Sequence, residues 1–181
     1  MRKKRNSTNI ARGFRVTNAS LAIFSKVGEE VVKQREPVIL MGRKTRGYGN
    51  GFDMMPGGRA KRGEKKNMVS CAQREGSEES GLIGINHMVI AKIIVIIKER
   101  RTEFVIDVVL FSSWTGEVKW NEEFKELEFV PFSKINWKKI LPGDRRWMKR
   151  VLIDHKPTYA EIICGKNRQD VKSIKLKDLV Y

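Results

Sequence analysis

Glu75, Glu78 and Glu79 stand at positions i, i+3 and i+4 of one short segment. On a helix those positions share a face. Three like charges side by side repel one another and weaken the helix that carries them. A hard divalent cation such as Mg²⁺ or Mn²⁺ prefers oxygen ligands and would turn that repulsion into binding. Ahead of the glutamates lies a glycine-rich stretch with Gly57, Gly58 and Gly63. Such a stretch lets backbone approach a phosphate closely. Loop, helix and acidic face together suit a metal-bound phosphate chain. The plainer alternative is a solvated acidic helix face.

Residues 57–82 resemble the Nudix box, G-x5-E-x7-R-E-U-x-E-E-x-G-U, where U is aliphatic. Gly58, Glu64, Arg74, Glu75, Glu78, Glu79, Gly81 and Leu82 match it. Two positions depart. Nine residues separate Glu64 from Arg74 where the family has seven, and Gly76 takes an aliphatic position. A longer loop at the helix junction, around residues 65–68, would absorb the insertion. A mid-helix glycine costs about 1 kcal/mol relative to alanine.

From about residue 19 onward the chain is similar to the MutT-type diphosphatases, which clear oxidised purine nucleoside triphosphates. MGRKTRGYGNGF before the box, LPGDRRW after it and the closing DVKSIKLKDL carry that resemblance. It implies an α+β Nudix fold, a mixed β-sheet between helices in an α/β/α sandwich. It also implies Mg²⁺-dependent attack of water on the triphosphate, releasing nucleoside monophosphate and pyrophosphate; Mn²⁺ is the alternative ion.

By the same resemblance, Glu75, Glu78 and Glu79 are metal ligands and Arg74 orients them. Gly57 and Gly58 contact metal and phosphate. Glu123 is a further metal ligand or the base, a role for which Glu79 is the other candidate. Lys44 and Tyr48 line the nucleotide pocket. Met54 takes the place of a pocket asparagine, Leu141 that of a stacking tryptophan, and Gly143 that of the first of two aspartates reading the purine edge. Asp144 matches the second aspartate, and it also suits the N-cap of a following helix. With these pairing groups partly gone, the reaction class is better supported than the base.

The chain has 181 residues, which suits one domain with a sizeable core. Lys and Arg number 37 against 21 Asp and Glu, a formal net charge of +16. That favours polyanionic partners, nucleotides or nucleic acid. Two further readings follow: a Nudix hydrolase acting on an RNA 5′ cap or 5′ triphosphate, and a catalytically impaired nucleic-acid-binding module. Cys71 and Cys164 form no metal or disulfide pattern. No apolar run is long enough to cross a bilayer. A cytoplasmic monomer is the expectation, with mitochondrial or nuclear targeting left open by the basic N-terminus.

Residues 1–16 read as a basic flexible arm and 17–181 as the hydrolase domain. Strands are expected at 19–27, 38–42, 87–98, 104–113, 126–132, 159–164 and 171–176. The first two should form a hairpin, as should the last two. One helix is expected at 67–80, with Asn67 as N-cap and Gly81 just past its end. A second is expected at 145–155, capped by Asp144. Asp107 interrupts an apolar strand, and its partner is not evident from sequence.

Overall fold

The structure, a computed structural model, describes residues 13–26, 37–47, 49–119 and 121–180. Strands β1 (Arg15–Lys26), β2 (Val38–Lys44), β3 (Asp53–Met54) and β4 (Gly57–Arg59) precede helix α1 (Met68–Ser80). Strands β5 (Ile83–Gly84), β6 (His87–Ile97), β7 (Thr102–Phe111), β8 (Trp114–Thr115) and β9 (Phe124–Pro131) follow. Helix α2 (Asp144–Leu152) then leads to the hairpin of β10 (Thr158–Cys164) and β11 (Val171–Asp178).

The main sheet runs β11-β10-β6-β7-β1-β2-β3, with β4 also on β1 and β9 also on β2. The β1–β7 and β6–β10 pairs are parallel, while β6–β7, β1–β2, β2–β9 and β10–β11 are antiparallel. The sheet is therefore mixed. Residue alternation along each strand feeds two faces. Ala22, Phe24, Val109 and Phe111 pack with Ala72 of α1 on one face. Leu21, Ile23, Ile106 and Val108 pack with Trp147, Met148, Val151 and Leu152 of α2 on the other.

One edge of β1 is shared, and this creates the cleft. Its first half pairs with β4, Ala19 opposite Arg59 and Leu21 opposite Gly57. Its last residues pair with β2, Ser25 opposite Ile39. Gly57 is required there, because a Cβ would lie 2.4 Å from the Ser20 carbonyl oxygen.

The main strands, both hairpins and the first helix agree with the sequence reading. Asn67 caps α1, its Oδ1 accepting from Ser70 N at 3.4 Å, and Gly81 ends it with φ 77°. Asp107 finds Lys92 on the neighbouring strand, Nζ to Oδ1 at 3.0 Å. Other details differ. β1 starts at Arg15, because its parallel pairing with β7 begins at Arg15 opposite Thr102. Arg15 and Val16 are thus strand residues rather than arm, and residues 1–12 of that arm lie outside the described residues.

The second helix is shorter than expected, and Asp144 is not its side-chain cap. Asp144 is the first helical residue, Gly143 holds the cap position, and no side chain bonds the free N–H groups. Its carboxylate is engaged elsewhere, with Trp147 and Arg168. The two- and three-residue strands escaped the sequence reading because so short a run carries no periodicity.

Candidate active site

Arg74 organises the acidic face of α1. Its Nε and Nη2 donate to the two carboxylate oxygens of Glu64, at 2.7 and 2.9 Å. Its Nη1 donates to Glu75 Oε1 at 2.7 Å and Glu78 Oε2 at 2.8 Å. A fifth bond reaches the Arg59 carbonyl at 3.0 Å. One planar guanidinium thus ties three carboxylates to the β4 loop. Arg74 hydrogen bonding outweighs the effect of burial and holds Glu64 down at about 2.

Glu64 reaches this position because the inserted residues close into turns. Glu64 N donates to the Lys61 carbonyl at 3.0 Å, and Asn67 N donates to the Glu64 carbonyl at 2.8 Å. Lys61 N meets Glu64 Oε2 at 2.8 Å. Gly76 is explained as well. A Cβ there would stand 2.8 Å from Phe24 Cζ and 3.4 Å from Ala22 Cβ. The aromatic ring of β1 occupies the space an aliphatic side chain would fill.

Glu79 lies one turn on and faces inward, 6% exposed. Gly57 N donates to its Oε2 at 2.8 Å, and Lys44 Nζ meets its Oε1 at 2.5 Å. The same ammonium meets Glu123 Oε2 at 2.7 Å and sits 4.4 Å from the Phe124 ring centre. Burial pushes Glu79 up to about 7 against the pull of Lys44. Burial acts on Glu123 in the same sense, but Lys44 and Arg46 outweigh it and hold that carboxyl low. Asn121 Oδ1 fixes the Glu123 backbone, accepting its N–H at 2.7 Å.

A cavity of about 450 Å³ is lined by Lys44, Met54, Gly57, Gly58, Arg74, Glu75, Glu79 and Glu123. Eight residues separated widely in sequence are thereby brought to one hollow. Glu78 is not among its lining residues; it stands on the exposed rim, held by Arg74 and by Lys61 Nζ at 3.3 Å. Gly58 lets β4 close on Glu75, since a Cβ would be 2.6 Å from that carboxyl group. Tyr48 lies outside the described residues.

Lys44 takes the place between Glu79 and Glu123 and lines the cavity. Met54 and Leu141, the two apolar departures from the resemblance, pack together with Phe124 as one cluster. A side chain at Gly143 would press on Ile162 Cγ2 at 3.0 Å. Asp144 does not line this cavity. It is 4% exposed, and its Oδ1 accepts from Trp147 Nε1 at 3.0 Å and Arg168 Nη2 at 2.8 Å. Arg168, which no local pattern marks, lines the cavity in its stead.

A second hollow of about 510 Å³ adjoins the first, and Gly47, Arg59, Phe104 and Arg168 line both. Among the described residues, no group of three or more His, Cys, Asp or Glu is already gathered as metal ligands. The carboxylates are instead neutralised by Arg74 and Lys44. Their chemistry suits a hard cation: all the donors are oxygens, and they lie beside glycine backbone on one helix face. A divalent ion would take over charge now balanced by the two basic side chains. No helix among the described residues is long and apolar enough to cross a membrane.

Comparison with known proteins agrees with this fold. A mutator MutT protein from Bacillus halodurans superposes with a TM-score of 0.72 at 20% identity, covering 89% of this chain and 97% of its own. A MutT protein from Methanosarcina mazei gives 0.60 at 16% identity, covering 80% and 98%. The E. coli ORF135 protein gives 0.57 at 14% identity, covering 75% and 88%. At such identities the likeness is one of fold. Comparison with the curated proteins found no match. The NUDIX domain family matches residues 21–151, most of the chain. With that match, and with Arg74 binding Glu64, Glu75 and Glu78 of the box in one cluster, the chain belongs to the NUDIX family of hydrolases acting on phosphoric anhydrides.

Proposed function

We propose that the protein hydrolyses purine nucleoside triphosphates, oxidised ones included, to nucleoside monophosphate and pyrophosphate, with Mg²⁺ as its ion. The observation that carries this reading is the placement of Glu75, Glu79, Lys44 and Glu123 around one hollow against the Gly57–Arg59 strand. Glu75, Glu78, Glu79 and the Gly57 backbone would hold the ion. When bound, it neutralises phosphate oxygens and lowers the pKa of a bound water.

The chain's own residues supply the rest. Arg74 keeps Glu75 and Glu78 in one orientation and prevents their mutual repulsion from spreading them. Glu79 and Glu123 are the two candidate proton acceptors, linked through Lys44. Gly57 and Gly58 leave room for a phosphate beside the strand. Arg59 and Lys61 line the same hollow and would serve as counter-charges to the outer phosphates.

Purified protein with Mg²⁺ should release pyrophosphate from members of a nucleotide panel that includes 8-oxo- and 2-hydroxy-purine triphosphates. Folded, metal-loaded protein that turns over none of them would defeat the proposal. Glu78→Gln should lower kcat at least 100-fold with the fold retained, as circular dichroism would report.

A second reading takes a 5′-triphosphate RNA end as substrate. Its support is the second hollow, where Arg15, Arg59 and Arg100 could meet phosphates beyond the first nucleotide. Rates on free triphosphates and on 5′-triphosphate RNA separate the two. A binding-only module is less well supported, since neither the insertion nor Gly76 obstructs the hollow.

A further inference from the structure

Arg168 sits in the turn between β10 and β11, about ninety positions beyond the acidic helix in the chain. It is 8% exposed, yet it lines both hollows of the cleft. Its Nη2 donates to Asp144 Oδ1 at 2.8 Å, and that oxygen also accepts from the fully buried Trp147 Nε1 at 3.0 Å. Burial alone would push the Asp144 carboxyl up and the Arg168 guanidinium down. Each stabilises the other's charge across 2.8 Å. A buried guanidinium pinned in this way holds one orientation.

Its surroundings define what it can meet. The phosphate end of the cleft is fixed by Glu75, Glu79 and the Gly57–Arg59 strand. The opposite hollow carries Phe52, Phe104 and Leu141, surfaces suited to a planar ring. Its charged lining is Arg15, Arg59, Arg100 and Arg168, with no Asp or Glu among the described residues there. A guanidinium has only donors. A purine with a carbonyl at C6 offers two adjacent acceptors, O6 and N7, which match its fork; a 6-amino group offers a donor to a donor.

We infer that Arg168, positioned by Asp144, selects 6-oxopurine nucleotides over 6-aminopurine nucleotides. The inference rests on the triphosphate hydrolysis proposed above. It also reassigns Asp144, whose carboxylate acts through Arg168 and does not touch the base. The 8-oxo form of guanine keeps O6 but carries a hydrogen on N7, so it offers the fork one acceptor instead of two and loses part of the preference, whereas 2-hydroxyadenine keeps its 6-amino group and stays disfavoured.

The test compares kcat/KM for ITP and GTP with that for ATP and 2-hydroxy-ATP under Mg²⁺. The wild-type protein should favour the 6-oxo class at least tenfold, mostly through KM. Arg168→Lys keeps a cation beside Asp144 but loses the fork, and it should bring the ratio toward parity. Asp144→Asn should raise KM for ITP more than it lowers kcat. No preference in the wild-type protein overturns the inference, and that measurement stands even if the variants fail to fold. An equal loss for both classes in Arg168→Lys also overturns it, by assigning Arg168 to phosphate. Should no nucleotide turn over, calorimetric titration with ITP and ATP still decides: tighter ITP supports the inference, and equal affinities sink it.

Discussion

Arg74 shows how a single side chain can hold a like-charged cluster together. It binds Glu64, Glu75 and Glu78, and a shorter cation could not span all three. Arg74→Lys should therefore lower kcat/KM at least tenfold while the protein still melts cooperatively. Glu64 gives a pH prediction with a definite sign. Its carboxyl is ordinarily near 4.5 and is held at about 2 in the fold. The folded state is the better acid, so the stabilisation is complete above about 4.5 and is lost as pH falls toward 2. Glu64→Gln should flatten the fall of the urea midpoint across that window and change its slope little above pH 6. An unchanged acid limb would show that the pair does not contribute.

At the scale of elements, α1 meets β1 through a glycine. Gly76 is a poor helix former, yet a Cβ there would crowd Phe24, whose ring stacks on Phe111 at 5.2 Å. Overpacking costs about 1–3 kcal/mol, against about 1 kcal/mol gained in helix propensity. Gly76→Ala should therefore destabilise, with Tm down by a few degrees. Adding Phe24→Leu should recover part of that loss, a coupling that a double-mutant thermal melt would read. Additive effects would mean that the two residues do not share one space. α2 is tied into the fold differently. Its first residue is anchored by a hydrogen bond to its own Trp147 and by an ion pair to the last hairpin.

For the whole molecule, charge matters more than any single pair. The chain carries 37 basic against 21 acidic residues, and the far hollow of its cleft is lined by arginines. A triphosphate should be attracted over distance, and salt should screen that attraction. Raising NaCl from about 50 to about 500 mM should raise KM severalfold while kcat changes less. A KM indifferent to salt would confine the charge to a solubility role.

The sequence by itself determined the reaction-bearing motif, because a helix face depends only on local spacing. Glu75, Glu78 and Glu79 fall together on any helix, and Asn67 and Gly81 mark where that helix must begin and end. The long strands were legible for the same reason, since alternation and β-branching are local signals. Three things were decided only by tertiary structure. The shared edge of β1 brings Gly57 against Glu79. The inserted turns deliver Glu64 to Arg74. The last hairpin carries Arg168 into the cleft, where Asp144 fixes it. Each of these joins residues far apart in the chain, and such pairings follow from packing and strand order rather than from any pattern a short window can hold.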